Sequence, residues 1–396
     1  MIAEKMRPHI EGSSVIRAMF EEGKRLAEIY GEENVYDFSI GNPNVPAPKE
    51  INKAIVDILT EEDPLKVHGY MNNAGFEETR KAVADDINSR FKAEYAAENI
   101  IMTVGAGSAL NVALKSILDT DDEVVAISPY FVEYRNYVNN YDGKLVEVAA
   151  KEENNFLPDA EDIRKVVNKK TKAIILNNPN NPTGVVYDEK TIENIGKMLE
   201  EEAEKIGHPI YIISDEPYRE LVYGGREVPF IPGIYDNTII AYSFSKSLSL
   251  PGERIGYLAV SPKSHEAEEF VSAATIANRI SGCVNAPSLI QLAIARSIGA
   301  KCDVDFYEEN GKILYNALTN LGFTCIRPEG AFYLWVKSPV GDDNEFVAMA
   351  KKHRILMVPG SAFAGPGFVR ISYCVARKTI EDSIESFAKL WEEVGE

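Results

Sequence analysis

The sequence predicts an α/β protein: a mixed, mostly parallel seven-stranded sheet sandwiched by helices, followed by a smaller α+β domain. Three observations carry this. From residue 99 onward, short β-branched runs alternate with longer helical stretches. The runs are almost continuously apolar, the mark of strands buried on both faces. After about residue 290 the texture changes to a long helical pattern followed by two further strand-like runs.

Taken in order, "SSVIRAMFEEGKRLAEIY" (13–30) sets Ile16, Met19, Phe20, Ala27 and Tyr30 at helical spacing, so one buried stripe is expected. "GNPNVPAPK" (41–49) carries three prolines in nine residues and must be an extended connector. Strands are expected within 99–105, 122–129, 144–150, 172–179, 209–216, 237–245 and 255–262. Helical segments such as 186–206 separate several of them. The connection from Ser245 to Ile255 is too short for a helical crossover, so the seventh strand is expected to run antiparallel. "LEEEAEK" (199–205) reads as a solvated helix face. Beyond the helical pattern at 288–320, "GFTCIRPEGAFYLWVK" and "GFVRISYCV" form the smaller sheet. The chain is divided as 1–45, an N-terminal segment packing with the small domain; 46–290, the large domain; and 291–396, the small domain. The stretch 1–40 is expected to cross or cap the functional site.

Bulk properties narrow the functions. The 396 residues are too many for one small core. A net charge of −19, from 42 basic and 61 acidic residues, argues against a nucleic-acid binder but leaves room for a local basic pocket. The four cysteines have no C-x-x-C spacing, so neither a metal site nor a disulfide framework is expected. "MIAEKMRPHI" lacks a signal-peptide core, and no run of 18 apolar residues occurs, so the expectation is a soluble, cytoplasmic protein off the membrane.

In an open α/β sheet, ligands bind beyond the carboxyl ends of the strands. The first strand ends in "GAGSAL", where Gly105, Ala106 and Gly107 precede a helix. Free N–H groups there make an anion site, although a plain strand-to-helix turn has the same appearance. The second ends in "SPYFVEYRNY", where Tyr130 or Phe131 could cover a flat ring or simply pack in the core. The fourth ends in "NNPNNPTG", a stiff loop of four asparagines. Asp215 closes the fifth strand, where a buried carboxylate needs a cation or a donor. Lys246 closes the sixth, bracketed by Ser243, Ser245 and Ser247, with Arg254 eight residues on. A phosphate turn, an aromatic, fixed amides, an acid, a lysine and an arginine together describe one ligand. It is a phosphorylated aromatic ring with a ring nitrogen for Asp215 and an aldehyde for Lys246: pyridoxal 5′-phosphate. Lys246 must be neutral to attack that aldehyde, and Arg254 and a desolvated site would both lower its pKa.

With "NNPTG", "SDEPY", "SFSKSLSLPGERIGY" and "FVRISY" in this order, the chain resembles the class I/II aminotransferases of PLP fold type I, in an aspartate aminotransferase-like form, from about Tyr36 to Tyr373. The resemblance implies transfer of an amino group from an L-amino acid to a 2-oxo acid. It implies that Lys246 carries the cofactor as a Schiff base and shuttles a proton, and that Asp215 pairs with the ring nitrogen. Tyr218 and Asn181 would bond the ring hydroxyl oxygen, and Phe131 would stack on the ring. Ala106, Gly107, Ser243 and Arg254 would hold the phosphate. Arg370, assisted by Gly41, would clamp the substrate α-carboxylate. Tyr70 would reach the phosphate of the partner subunit, which implies a homodimer. The preferred donor is expected to be aspartate, with Arg279 either supplying a distal charge to the neighbouring subunit or serving structure alone. Aromatic amino acids, alanine or methionine as donors, or a C–S lyase on the same fold, are the alternatives.

Overall fold

Seven strands make the central sheet of the computed structural model, which describes residues 2, 4–7 and 15–395; six are largely buried, while the edge strand Lys144–Ala149 buries only Val148, against the expectation of burial on both faces. They are β1 (Ile100–Thr103), β2 (Glu123–Ser128), β3 (Lys144–Ala149), β4 (Thr171–Asn177), β5 (Tyr211–Asp215), β6 (Thr238–Ser243) and β7 (Gly256–Val260). Six lie within an expected run, and β4 begins at Thr171, one residue before its run of 172–179. Their order across the sheet is β1-β7-β6-β5-β4-β2-β3. β7 is antiparallel to both β1 and β6, while the other pairs are parallel. The cause is the short β6–β7 link. It holds only one helical turn, Phe244–Ser247, and a 3-10 turn, Pro251–Glu253, so the chain reverses direction.

β1 to β6 therefore share one carboxyl edge, and β7 brings its amino end to it. Asn177 lies beside Asp215, Asp215 beside Ala241, and Ser243 beside Gly256. Ile174, Leu176, Ile212 and Ile239 are fully buried, each stabilising the sheet by about 1.5–3 kcal/mol relative to exposure. Helices cover both faces, among them α1 (Ala106–Ile117), α2 (Glu189–Ile206) and α3 (Ala267–Asn278). Asp188 caps α2 by accepting the Thr191 N–H at 2.8 Å.

A second, antiparallel sheet contains β8 (Cys325–Ile326), β9 (Tyr333–Lys337), β10 (Val358–Pro359) and β11 (Phe368–Ser372), in the order β10-β11-β9-β8. Helices Val304–Leu321 and Arg377–Gly395 pack with it. Tyr36–Asp37 pairs in parallel with Ile355–Leu356, and Met19, Tyr36 and Phe38 join the same apolar cluster.

Two expectations change. The first helix spans Val15–Tyr30, and residues 13 and 14 lie outside the described residues, as do the side chains of Ile16 and Phe20. Met19 is buried with Leu26, but Tyr30 is half exposed because its ring leaves the stripe to lie under the Arg354 guanidinium. Within "LEEEAEK", Glu202 is not solvated: it is nearly buried and pairs with Arg164 and Lys205.

Candidate active site

One cavity of about 320 Å³ opens at the carboxyl edge of the large sheet. Gly41, Ala106, Gly107, Phe131, Asn181, Asp215, Tyr218, Ser243, Lys246, Arg254 and Arg370 all line it. Tyr70 and Arg279 do not; both side chains are exposed. Asn177 of the asparagine loop and Ser245 line it as well, as do Tyr137 and Tyr333, which the sequence did not single out.

At one end, Gly105 adopts φ 92° and turns β1 into α1. A side chain there would be strained, and its Cβ would sit 3.2 Å from Arg254 Nη2. Gly105 O accepts the N–H groups of Ser108 and Ala109, so α1 begins with the Ala106 and Gly107 N–H groups unused by the backbone. Arg254 reaches the same turn, donating to Pro251 O at 3.0 Å and Val104 O at 3.3 Å. Among the described residues no carboxylate pairs with it. Turn and arginine together form a cationic, donor-rich pocket for an anion.

At the other end lies Asp215, buried and carried by β5. Its Oδ2 accepts from Tyr134 Oη and, at 3.2 Å, from Asn177 Nδ2. Oδ1 is buried without a hydrogen-bond partner. An orphan carboxylate oxygen of this kind is costly unless a donor arrives from a ligand. Burial lifts the Asp215 pKa to about 7, and Tyr134 opposes the rise. Tyr134 was absent from the sequence reading. Its signal was position alone, three residues after Phe131, whose carbonyl accepts the Tyr134 N–H. Tyr130, the other aromatic considered there, turns into the core and bonds Glu147; Phe131 is the one that faces the cavity.

The four asparagines divide their work. Asn178 and Asn180 brace the loop through Tyr187, while Asn177 and Asn181 face the cavity. Asn177 Oδ1 accepts the Asn181 N–H at 2.6 Å. Of the three serines, Ser243 Oγ bonds Ser245 Oγ at 2.8 Å and caps the Lys246 turn, whereas Ser247 accepts from Tyr242 behind it.

Lys246 Nζ donates to Gly41 O at 2.6 Å and lies 5.3 Å from the Phe332 ring centre. Burial lowers its pKa to about 8, and Arg370 and Arg254 push the same way. Arg370 is buried between the rings of Tyr333 and Phe363, 4.5 and 4.6 Å from their centres. It donates to Asn181 Oδ1 at 3.0 Å and Ser39 O at 2.7 Å, and its Nε has no partner. A buried guanidinium with no carboxylate beside it is prepared for an anionic ligand.

Among the described residues no cluster of His, Cys, Asp or Glu could hold a metal ion, and no helix is long and apolar enough to cross a membrane. The donor set instead fits a phosphorylated, aldehyde-bearing heterocycle: an anion pocket at one end, an unpaired acceptor at the other, and an amine of lowered pKa between them.

Comparison with known proteins agrees with this geometry. The profile of "Aminotransferase class I and II" matches residues 33–387. An aspartate aminotransferase of Pyrococcus horikoshii is 32% identical over 387 residues, covering 96% of this chain and 95% of that protein. The crystal structure of an aminotransferase from Eubacterium rectale superposes with a TM-score of 0.97 at 44% identity over the whole of both chains. Aspartate aminotransferase from Thermus thermophilus with maleate superposes at 0.87 and 26% identity, covering 98% of this chain and 100% of that one. The chain thus belongs to the class I and II aminotransferases, fold type I enzymes that use pyridoxal 5′-phosphate to pass amino groups between amino acids and 2-oxo acids.

Proposed function

We propose that this aminotransferase takes its amino group from an L-amino acid, aspartate foremost, and gives it to a 2-oxo acid such as 2-oxoglutarate. When bound, pyridoxal 5′-phosphate supplies the electron sink for charge developing at the substrate Cα. Lys246 binds the cofactor and, once freed, its Nζ removes the Cα proton; a pKa near 8 makes a neutral amine available close to neutral pH. Asp215 Oδ1 holds the ring N–H. Tyr218 and Asn181 Nδ2 bond the ring oxygen, and Phe131 covers the ring. The Ala106 and Gly107 N–H groups, Ser243 and Arg254 hold the phosphate. Arg370 grips the α-carboxylate beside Gly41, leaving the Cα–H bond exposed to Lys246.

The observation that carries this reading is the pairing of two unmet demands in one cavity: the orphan Asp215 Oδ1 and the carboxylate-free Arg370. Exposed apolar groups also favour a partner chain. Tyr70 is 93% exposed and Leu65 is 83% exposed. Asn278 and Asn285 bond the carbonyls of Asn73 and Asn72, so the Tyr70 and Arg279 stretches share one surface. Exposed Ile276 and Ile280 extend it. We read this surface as a homodimer face through which Tyr70 and Arg279 serve the neighbouring site. Arg279, with no partner among the described residues, supports aspartate by offering charge for a second carboxylate. The division into 1–45, 46–290 and 291–396 has the separate sheets in its favour.

An amino-donor panel tests the proposal. Holoenzyme with 2-oxoglutarate should turn over aspartate faster than alanine, tyrosine or methionine, measured by glutamate formed. Preference for tyrosine would replace the donor. Pyruvate and ammonia from cystathionine without any oxo acid would replace the reaction.

A further inference from the structure

The motif "GAFY" contributes a second tyrosine to the cavity, Tyr333. Tyr333 and Tyr218 are both buried, their hydroxyls 2.8 Å apart and their rings nearly perpendicular at 81°. Among the described residues, neither hydroxyl bonds any other group. The pair holds two protons, and its mutual bond uses one. The second proton must go to a ligand.

Two features decide which phenol keeps it. Tyr333 Oη is packed against Gly41, where a Cβ would overlap it, so that side of the hydroxyl is closed. Arg370 lies over the Tyr333 ring at 4.5 Å, and its positive charge favours release of the Tyr333 proton, which makes Tyr333 the better donor. Its backbone is held as firmly. Ala331, at φ 55°, turns the chain into β9, and its carbonyl accepts from Tyr223 Oη. We infer that Tyr333 is a positioning residue that donates to Tyr218 and thereby turns the Tyr218 proton toward the cofactor's ring oxygen. This rests on the assignment of Tyr218 to that oxygen. Hydrogen bonds in such a chain polarise one another, so the first strengthens the second.

The test is the pH midpoint of the visible absorption band of the cofactor-loaded enzyme. Donation to the ring oxygen stabilises its deprotonated form, so losing donation raises the midpoint. Tyr218→Phe should raise it. Tyr333→Phe should raise it by a smaller amount, about 0.5–1 unit for one weakened hydrogen bond. The double variant should match Tyr218→Phe alone, because Tyr333 acts only through Tyr218. A wild-type midpoint in Tyr333→Phe beside a shifted Tyr218→Phe would overturn the inference, as would additive shifts. An unshifted Tyr218→Phe would instead remove the assignment on which it rests.

Discussion

Arg370 Nη1 donates to Asn181 Oδ1 across 3.0 Å, joining the guanidinium on β11 to the asparagine loop that follows β4. Since Ser39 O takes a second N–H, the guanidinium plane is fixed before any substrate arrives. Arg370→Lys keeps the charge and loses the fork. The expected cost is about 1.5–3 kcal/mol in kcat/KM, expressed mainly as a higher KM for every amino donor alike. Steady-state kinetics with aspartate and alanine will show it. An effect confined to aspartate would place Arg370 at the side chain instead.

Asp215 is the second fixed point. Asp215→Asn keeps the bulk but removes the anion facing the cavity. Turnover should fall roughly a hundredfold or more, as for a lost charged hydrogen bond. Tyr134→Phe removes one of the two donors to Oδ2, leaving Asn177, and should cost about tenfold or less. If both variants lost activity equally, Tyr134 would be acting on the cofactor rather than through Asp215.

How much of this was legible in the sequence depended on where each residue's partners lie. Asp215 ends a strand, and Lys246 and Asn181 follow closely on two others, whose apolar runs announce them, so topology carried all three to one edge. The antiparallel β7 was legible because the link before it is short. Tyr134 and Tyr333 were not: each acts through a hydroxyl aimed at a residue 81 or 115 positions away, and such pairing leaves no local pattern. The exposed side of Tyr30 was missed because Arg354, which covers it, is equally remote in sequence.

Lys246 couples stability to pH. Its folded pKa, near 8, lies below the unfolded value near 10.5. Between the two, the unfolded chain holds a proton that the folded chain has released, so this group's contribution grows as pH rises from about 8 to 10.5. In cofactor-free protein, Lys246→Met should be the more stable form at pH 7.5. Its advantage should shrink by about 2–3 kcal/mol toward pH 10.5. Denaturant unfolding at several pH values measures the difference, and a constant gap would refute a depressed lysine. With cofactor added, Lys246→Ala should show neither the lysine-bound visible band nor transamination; retained turnover would end its proposed role.

Gly41 is constrained from two sides. Its carbonyl accepts from Lys246, and a Cβ would overlap the Tyr333 hydroxyl and sit 3.1 Å from Phe332 Cε2. Gly41→Ala must therefore push Tyr333 or its own backbone aside, at about 1–3 kcal/mol of stability. Activity should fall further than thermal stability suggests, because Lys246 and Tyr218 both lose their neighbour. Combining it with Tyr333→Phe, which removes the overlapped atom, should recover part of the stability; no recovery would locate the clash elsewhere.

The proposed donor preference rests on Arg279, and mixed dimers of two variants test it. Arg279→Ala should weaken aspartate turnover by about 1.5–3 kcal/mol while sparing alanine. If Arg279 acts across the interface, a hybrid dimer of one Arg279→Ala subunit and one Lys246→Ala subunit has one intact site. That site takes its lysine from the first subunit and its arginine from the second. Mixing the two inactive or impaired dimers, with brief denaturation to allow exchange, should restore aspartate turnover with a wild-type KM. Were Arg279 to serve its own chain's cavity, every site in the hybrid would lack either the arginine or the lysine, and no wild-type KM would return. The exposed position of Arg279, outside its own chain's cavity, favours the first result.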